Sequence, residues 1–147
     1  GSTQAFVWTA VGTIGLGDFA NRGWYVHSEA TAVSPDGRIV VGKADAADGS
    51  VHGFRWTQES GLVSIGRNFQ PRGVTNDGVI VGNWSQAHVL GSSLGSGDLK
   101  ALLQGCGLDM SGWSLTAIDM TSDGRTIVGE GYDSATGRYQ AILARLP

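Results

Sequence analysis

The chain has 147 residues, a formal net charge of −3, 24 glycines, 41% hydrophobic residues and 16% charged residues. This composition is typical of a globular protein of turns and short strands, and it excludes a disordered or fibrous chain. The acidic balance and the scattered Lys and Arg argue against a nucleic-acid partner, no apolar run predicts membrane insertion, and the single Cys106 excludes an internal disulfide framework.

Two phrases recur along the chain and predict a repeat protein. A strand phrase has copies at 4–9, 52–57, 86–90 and 140–146, and a turn followed by an apolar strand has copies at 34–42, 75–82 and 121–129. The turn aspartates are 41 residues apart (36 to 77) and then 46 residues apart (77 to 123). This period indicates about four strands per unit, as in a propeller blade.

The predicted fold is all-β, a propeller-like array of about three four-stranded antiparallel units with one short helix. Gly1-Ser2 is typical of an expression-vector remnant, and residues 3–147 form one predicted domain. The predicted units are, in chain order, about 3–29 (partial), 30–66, 67–105 and 106–147. In the best-defined unit, strands are predicted at 30–34, 39–43, 51–57 and 62–65, separated by turns that contain Asp-Gly or Ser-Gly.

Alternation along the strand phrase predicts the core. Phe6 and Trp8 share one face of a strand, as do Phe54 and Trp56, so both pairs are expected to be buried. The third and fourth copies lack the aromatic pair, which leaves the packing of their units open. Glycines recur at the end of the apolar strand and are interpreted as packing glycines: Gly42, Gly82 and Gly129.

One segment departs from the strand pattern. Leu99, Leu102 and Leu103 fall on one helical face, which predicts a helix over about 98–104 with Asp98 as its N-cap and Gly105 as its C-terminal stop. We expect this helix to replace the fourth strand of its unit. The Gly/Ser-rich stretch 91–97 before it is predicted to be a surface loop.

The C-terminal run from Leu99 resembles the end of HAF-repeat extracellular proteins. The resemblance rests on 99–118, 121–129 and 140–147, and the internal phrases 54–57 and 33–37 resemble the repeat of that family. It implies a secreted or surface-displayed bacterial passenger segment, extracellular or at the outer-membrane surface, although this chain shows no signal peptide. The family repeat is a structural motif and implies no catalytic residue.

Recurring polar residues are interpreted as structural. Asp36, Asp77 and Asp123 each stand alone in a turn, whereas a calcium site needs six to eight converging oxygens. We interpret them as turn residues whose carboxylates bond their own backbone. The three histidines are not at ligand spacing, so no metal and no cofactor is predicted.

Aromatic residues outside the core phrase are the candidates for binding, because tryptophan can stack on a sugar ring or anchor a protein partner. A role in capping the core is the alternative, since tryptophan is highly buried on average. Arg55 is a further candidate, because it stands in the second copy of the strand phrase where Val7 stands in the first. The candidates are Trp24, Tyr25, Arg55, Trp84 and Trp113.

Two function classes follow. The first is a non-enzymatic, adhesin-like or passenger-like surface module that meets a host surface protein through its loops; the second is a glycan-binding module that uses the tryptophans. The G-x-S-x-G match around Ser93 would make a serine hydrolase the third, but it lacks the strand-to-helix context of a nucleophile elbow. Unpaired terminal strands favour self-association, so a homo-oligomer is also expected.

Overall fold

The computed structural model describes residues 2–20, 27–92 and 95–147. This part of the chain is all-β, with thirteen strands in four antiparallel sheets and one short helix. The elements are β1 (Phe6–Thr9), β2 (Gly12–Gly15), β3 (Ser28–Val33), β4 (Val40–Asp45), β5 (Val51–Thr57), β6 (Gly61–Arg67), β7 (Gln70–Val74), β8 (Ile80–Asn83), β9 (Ala87–Ser92), β10 (Gly95–Asp98), α1 (Leu99–Gly105), β11 (Trp113–Met120), β12 (Thr126–Asp133) and β13 (Arg138–Arg145).

Each sheet is built from strands that follow one another along the chain. A β1–β2 hairpin is followed by the four-stranded β3–β6 and β7–β10 sheets and by the three-stranded β11–β13 sheet. Neighbouring strands pair in sequence order, as short turns between antiparallel strands require. The all-β prediction is confirmed, but the described strands form neither a closed barrel nor a closed propeller.

Successive sheets pack face to face and share three apolar cores. One core lies between the β1–β2 hairpin and the β3–β6 sheet and contains Ala5, Val40 and Phe54. A second contains Val41 of β4 together with Ile80 of β8. A third joins the β7–β10 sheet, α1 and the β11–β13 sheet. Because a β-strand presents alternate side chains to opposite faces, each inner sheet contributes to two cores.

The recurring glycines lie where the first two strands of a sheet approach most closely. Gly42 pairs with Ala30, Gly82 with Pro71 and Gly129 with Ala117, and each first strand has a bulge directly after its paired residue. A Cβ at Gly42 would lie 2.7 Å from Cζ of Phe54 and would collide with the Glu29 carbonyl oxygen. These glycines are therefore required by the bulges, which bring backbone against backbone.

The aromatic pairs differ in burial. Phe54 is fully buried and Trp56 is half-buried, but Phe6 and Trp8 are 62% and 71% exposed, so their predicted burial is wrong. In β1 the opposite face, with Ala5 before it and Val7 within it, packs against the β3–β6 sheet. No other sheet of the described chain covers the face that carries Phe6 and Trp8.

The helix does not replace a strand. β10 completes the β7–β10 sheet by pairing with β9, and α1 follows it directly. The described residues of the predicted loop, 91–92 and 95–97, therefore lie in strands. Asp98 is the N-cap, and its carboxylate accepts a hydrogen bond of 3.1 Å from the Ala101 amide. The C-terminal stop is Gly107, with φ +88, rather than Gly105, which is the last residue of α1.

Polar contacts also connect the sheets. Asn83 at the end of β8 is buried, and its side-chain amide donates to the Ala117 carbonyl and accepts from the Ala117 amide, both at 2.9 Å. Thr31 in the bulge of β3 donates to the Pro71 carbonyl at 2.8 Å. The bulges free backbone groups from the strand ladder, and side chains satisfy these groups from within the sheet or across to its neighbour.

Candidate functional site

A cavity of about 330 Å³ opens beside β13. Its walls come from the end of α1, the segment that leads into β11, and β13 itself. We call this cavity and the adjoining edge of β13 the β13 groove. It is lined by Leu103, Leu108, Asp109, Met110, Trp113, Leu115, Ile142, Leu143, Ala144 and Arg145.

The β13 edge is open where the two four-stranded sheets carry their fourth strand. β13 pairs with β12 over its whole length, and no strand of the described chain pairs with its other edge. The corresponding edge of β5 is paired with β6, and that of β9 with β10. An open edge presents backbone amide and carbonyl groups that another extended segment can use.

The sequence around α1 fixes the apolar wall of the groove. Leu99 and Leu103 are buried on one side of the helix. The chain leaves α1 through a tight turn, in which the Gly107 amide donates to the Gln104 carbonyl at 2.9 Å and the Leu108 amide to the Leu103 carbonyl at 3.2 Å. This pairing is the Schellman arrangement, which a glycine at positive φ permits. It places Leu108, which stays 53% exposed, on the rim.

A polar rim surrounds the apolar floor. The Asp109 carboxylate accepts hydrogen bonds from the Ser111 hydroxyl and, at 2.9 Å, from the Ser111 amide. The Ser111 hydroxyl and then its amide lower the pKa of Asp109 below the ordinary value of 3.8, so this carboxylate is ionised at neutral pH. The Lys100 ammonium donates to the Trp113 carbonyl at 2.9 Å and ties α1 to the start of β11. The arrangement provides an apolar cleft whose charged lining residues are Asp109 and Arg145.

The described binding candidates lie in three different places. Trp113 is half-buried and lines the β13 groove. Trp84 packs against Phe69 with ring centroids 4.6 Å apart and against His88 at 4.7 Å, and its indole N–H donates to the Arg67 carbonyl at 2.8 Å. Arg55 is half-buried within β5, opposite Val41. The packed Trp84 ring and its satisfied donor favour a structural role for that residue over sugar stacking.

The remaining candidates fall elsewhere. Trp24, Tyr25 and Ser93 lie outside the described residues. Among the described residues of the G-x-S-x-G match, Ser92 of β9 pairs with Gly95 of β10.

The three turn aspartates have one geometry. In each turn a hydroxyl two residues earlier donates to the aspartate carboxylate: Ser34 to Asp36, Thr75 to Asp77 and Thr121 to Asp123. The Ser34 and Thr121 hydroxyls, with the following backbone amides, lower the pKa of Asp36 and Asp123. Their carboxylates are therefore engaged within their own turns.

A second cleft, of about 490 Å³, lies between the N-terminal segment and β3. Thr3 and His27 form a parallel bridge there, and Phe6 and Glu29 contribute to its walls. Within the described ranges, no three His, Cys, Asp or Glu side chains are grouped so that they could hold a metal ion. No helix among those residues is both long and apolar enough to cross a membrane.

Sequence analysis missed the β13 groove except for Trp113. The expectation of unpaired terminal strands pointed to an open edge but not to the cavity beside it. No family model, no curated protein and no solved structure matches this chain.

Proposed function

We propose that this chain is a non-enzymatic interaction module that binds an extended segment of a protein partner along the open edge of β13. The carrying observation is the apolar cavity beside an unpaired strand edge, in a chain whose two four-stranded sheets fill the same edge with their own strands. The bound segment would add a fourth strand, with backbone hydrogen bonds for affinity and one apolar side chain in the cavity for specificity.

The partner chemistry follows from β6, which fills the equivalent edge in the β3–β6 sheet. Leu62 of β6 is paired with Trp56 of β5 and packs on the core beneath that sheet. The position equivalent to Trp56 in β13 is Ala144, which pairs with Ile127 as Trp56 pairs with Val40. Alanine fills less space than tryptophan. A leucine of the bound strand that lies opposite Ala144 would therefore place its side chain in the cavity.

The wider setting of the module is also a proposal. The run of sheets with strands in sequence order, joined by repeated cores, supports a propeller-like arrangement. The resemblance to HAF-repeat proteins supports display on an outer bacterial surface as an adhesin-like passenger. Glycan binding is the weaker candidate, because the Trp84 ring, which is 38% exposed, packs against Phe69 and His88 and the floor of the groove is mostly apolar.

The test uses a fluorescein-labelled peptide with the β6 sequence, Gly-Leu-Val-Ser-Ile-Gly-Arg, and reads fluorescence anisotropy. We expect saturable binding that weakens about tenfold when Leu108→Ser removes apolar contact at the rim, which corresponds to about 1.4 kcal/mol. Val11→Ser is the matched control, because Val11 is 95% exposed and lies outside the groove.

A control peptide with proline in place of its central Ser should not bind, because proline removes a backbone donor. No saturable signal with the unmodified peptide, or equal binding to the two protein variants, would contradict the proposal.

A further inference from the structure

The two ends of the stack expose faces that are covered at every inner position. We call the face of the β1–β2 hairpin that carries Phe6 and Trp8 the front face, and the face of the β11–β13 sheet that carries Val128, Ala141 and Leu143 the rear face. The side chains of Phe6, Trp8, Val128 and Leu143 are each at least 40% exposed.

The second strands show that the rear face is the type of face that another sheet covers. Val41, Val81 and Val128 each precede the recurring glycine in β4, β8 and β12. Val41 packs in the core shared with the β7–β10 sheet, and Val81 in the core shared with the β11–β13 sheet; both are fully buried. Val128 has the same position and orientation but no following sheet within the described chain. It is 40% exposed.

The third strands of the sheets show that the front face fits the rear face. At the first sheet-to-sheet contact, Ala5 and Val7 pack against a face formed by Phe54 and Trp56. The repeat places Ala141 and Leu143 at the positions of Ala5 and Val7. It also places Phe6 and Trp8 at the positions of Phe54 and Trp56. The chain therefore carries both halves of an interface that already exists inside it: the aromatic half at its front and the small aliphatic half at its rear.

We propose that the rear face of one copy packs against the front face of a second copy, so that the chain associates with itself head to tail. The buried contact would repeat the core between the hairpin and the β3–β6 sheet. Glu130 and Arg145 flank the apolar part of the rear face and would form a polar rim. Because the two contacting faces differ, each copy keeps one free face, and association continues into rods or closes as a ring.

This inference rests on the two sheet faces and not on the β13 groove. Leu143 and Arg145 border both, but Trp8 and Val128, the residues that the test changes, do not line the groove. The test is light scattering coupled to size exclusion on the full chain. The unmodified protein should show a mass that rises with concentration above the 15.3 kDa monomer. Trp8→Arg blocks the front face and Val128→Arg the rear face, because each would bury an unpaired charge in the contact. Each variant alone should elute as a monomer.

Mixing the two variants is the decisive step. Each retains the face that the other lacks, so an equimolar mixture should form a dimer of about twice the monomer mass that grows no further. Circular dichroism should confirm that both variants are folded, and both should still bind the β6 peptide. As an independent check, Phe6→Ser should also lower the mass of the otherwise unmodified chain.

Three results would overturn the inference. An unmodified chain that stays monomeric up to about 100 μM has no such contact at useful affinity. Association lost in Trp8→Arg but kept in Val128→Arg would indicate front-to-front pairing in a symmetric dimer. Variants that remain monomeric when mixed would show that the two faces do not fit each other.

Discussion

At the residue scale, each of the three turns depends on one hydroxyl. Ser34 is 2% exposed; its hydroxyl donates to the Asp36 carboxylate at 2.6 Å and accepts from the Ile39 amide at 2.9 Å. Thr75 makes the same two contacts with Asp77 and the Val79 amide. One oxygen therefore satisfies a buried amide and holds the carboxylate of the turn. In the first turn, that carboxylate also accepts from the Arg38 amide at 3.1 Å.

Removing the Ser34 hydroxyl should lower the stability of the protein measurably. We expect Ser34→Ala to lower the free energy of unfolding by about 1–3 kcal/mol, because it leaves the Ile39 amide buried without an acceptor. Ser34→Thr keeps the hydroxyl and copies what Thr75 and Thr121 provide, so its loss should stay below about 1 kcal/mol. Urea denaturation measures both values. Equal losses in the two variants would show that the hydroxyl does not matter.

At the element scale, the bulge opposite each recurring glycine sets the shape of the sheet. A Cβ at Gly129 would collide with the Thr116 carbonyl and lie 3.2 Å from the Ala117 Cα, so the strands would have to separate. We expect Gly129→Ala to destabilise the fold by about 1–3 kcal/mol, measured as a shift of the urea midpoint. Gly105→Ala is the control, since nothing lies within 4 Å of a Cβ there.

The control should change stability in the opposite direction. Gly105 is helical, and alanine in a helix is favoured over glycine by about 0.5–1 kcal/mol. A midpoint for Gly129→Ala at or above that of Gly105→Ala would refute the packing role of Gly129.

Local chemistry explains which elements the sequence predicted. Asp-Gly turns and β-branched runs act through neighbouring residues, so the strands of the β3–β6 sheet could be placed to within a few residues. β10 has the composition Gly-Ser-Gly-Asp and no apolar side chain, so only its pairing with β9 reveals it. Alternation likewise showed that Phe6 and Trp8 share a face, but it cannot show whether another sheet covers that face.

The core between the middle sheets also depends on packing that the sequence pattern does not reveal. The third copy of the strand phrase has His88 where Phe54 stands, and the sequence left its packing open. Phe69, from the connection between β6 and β7, fills that place: its ring lies 2.6 Å from a Cβ at Gly82, as that of Phe54 lies 2.7 Å from one at Gly42. An aromatic supplied from outside the repeat phrase is visible only once the sheets are packed.

At the scale of the whole molecule, the turns form a connected row. The Asp36 amide donates to the Asn76 side chain at 3.0 Å, which joins the first turn to the second. A Cβ at Gly124 would lie 3.2 Å from Cγ2 of Thr75, which places the third turn against the second. A change that weakens one turn therefore reaches its neighbour in the next sheet, as expected where units stack in series.

Four turn carboxylates predict how stability depends on pH. Hydrogen bonds from Ser34 and Thr121 lower the pKa of Asp36 and Asp123, and those from Ser50 and Ser111 do the same for Asp48 and Asp109. The unfolded chain then binds more protons than the folded chain between the ordinary pKa of 3.8 and the lowered pKa values. The stabilisation is thus present above pH 3.8 and is lost as the pH falls through the lowered values.

Urea midpoints measured from pH 7 to pH 2 should therefore be nearly constant down to about pH 4 and fall below it. The Asp36→Asn, Asp123→Asn double variant is the matched protein, because asparagine keeps an acceptor oxygen but does not titrate. Its midpoint should fall less steeply in acid. Parallel curves for the two proteins below pH 4 would mean that these two turn carboxylates do not carry the acid sensitivity, and a midpoint that rises on acidification would reverse the sign of the argument.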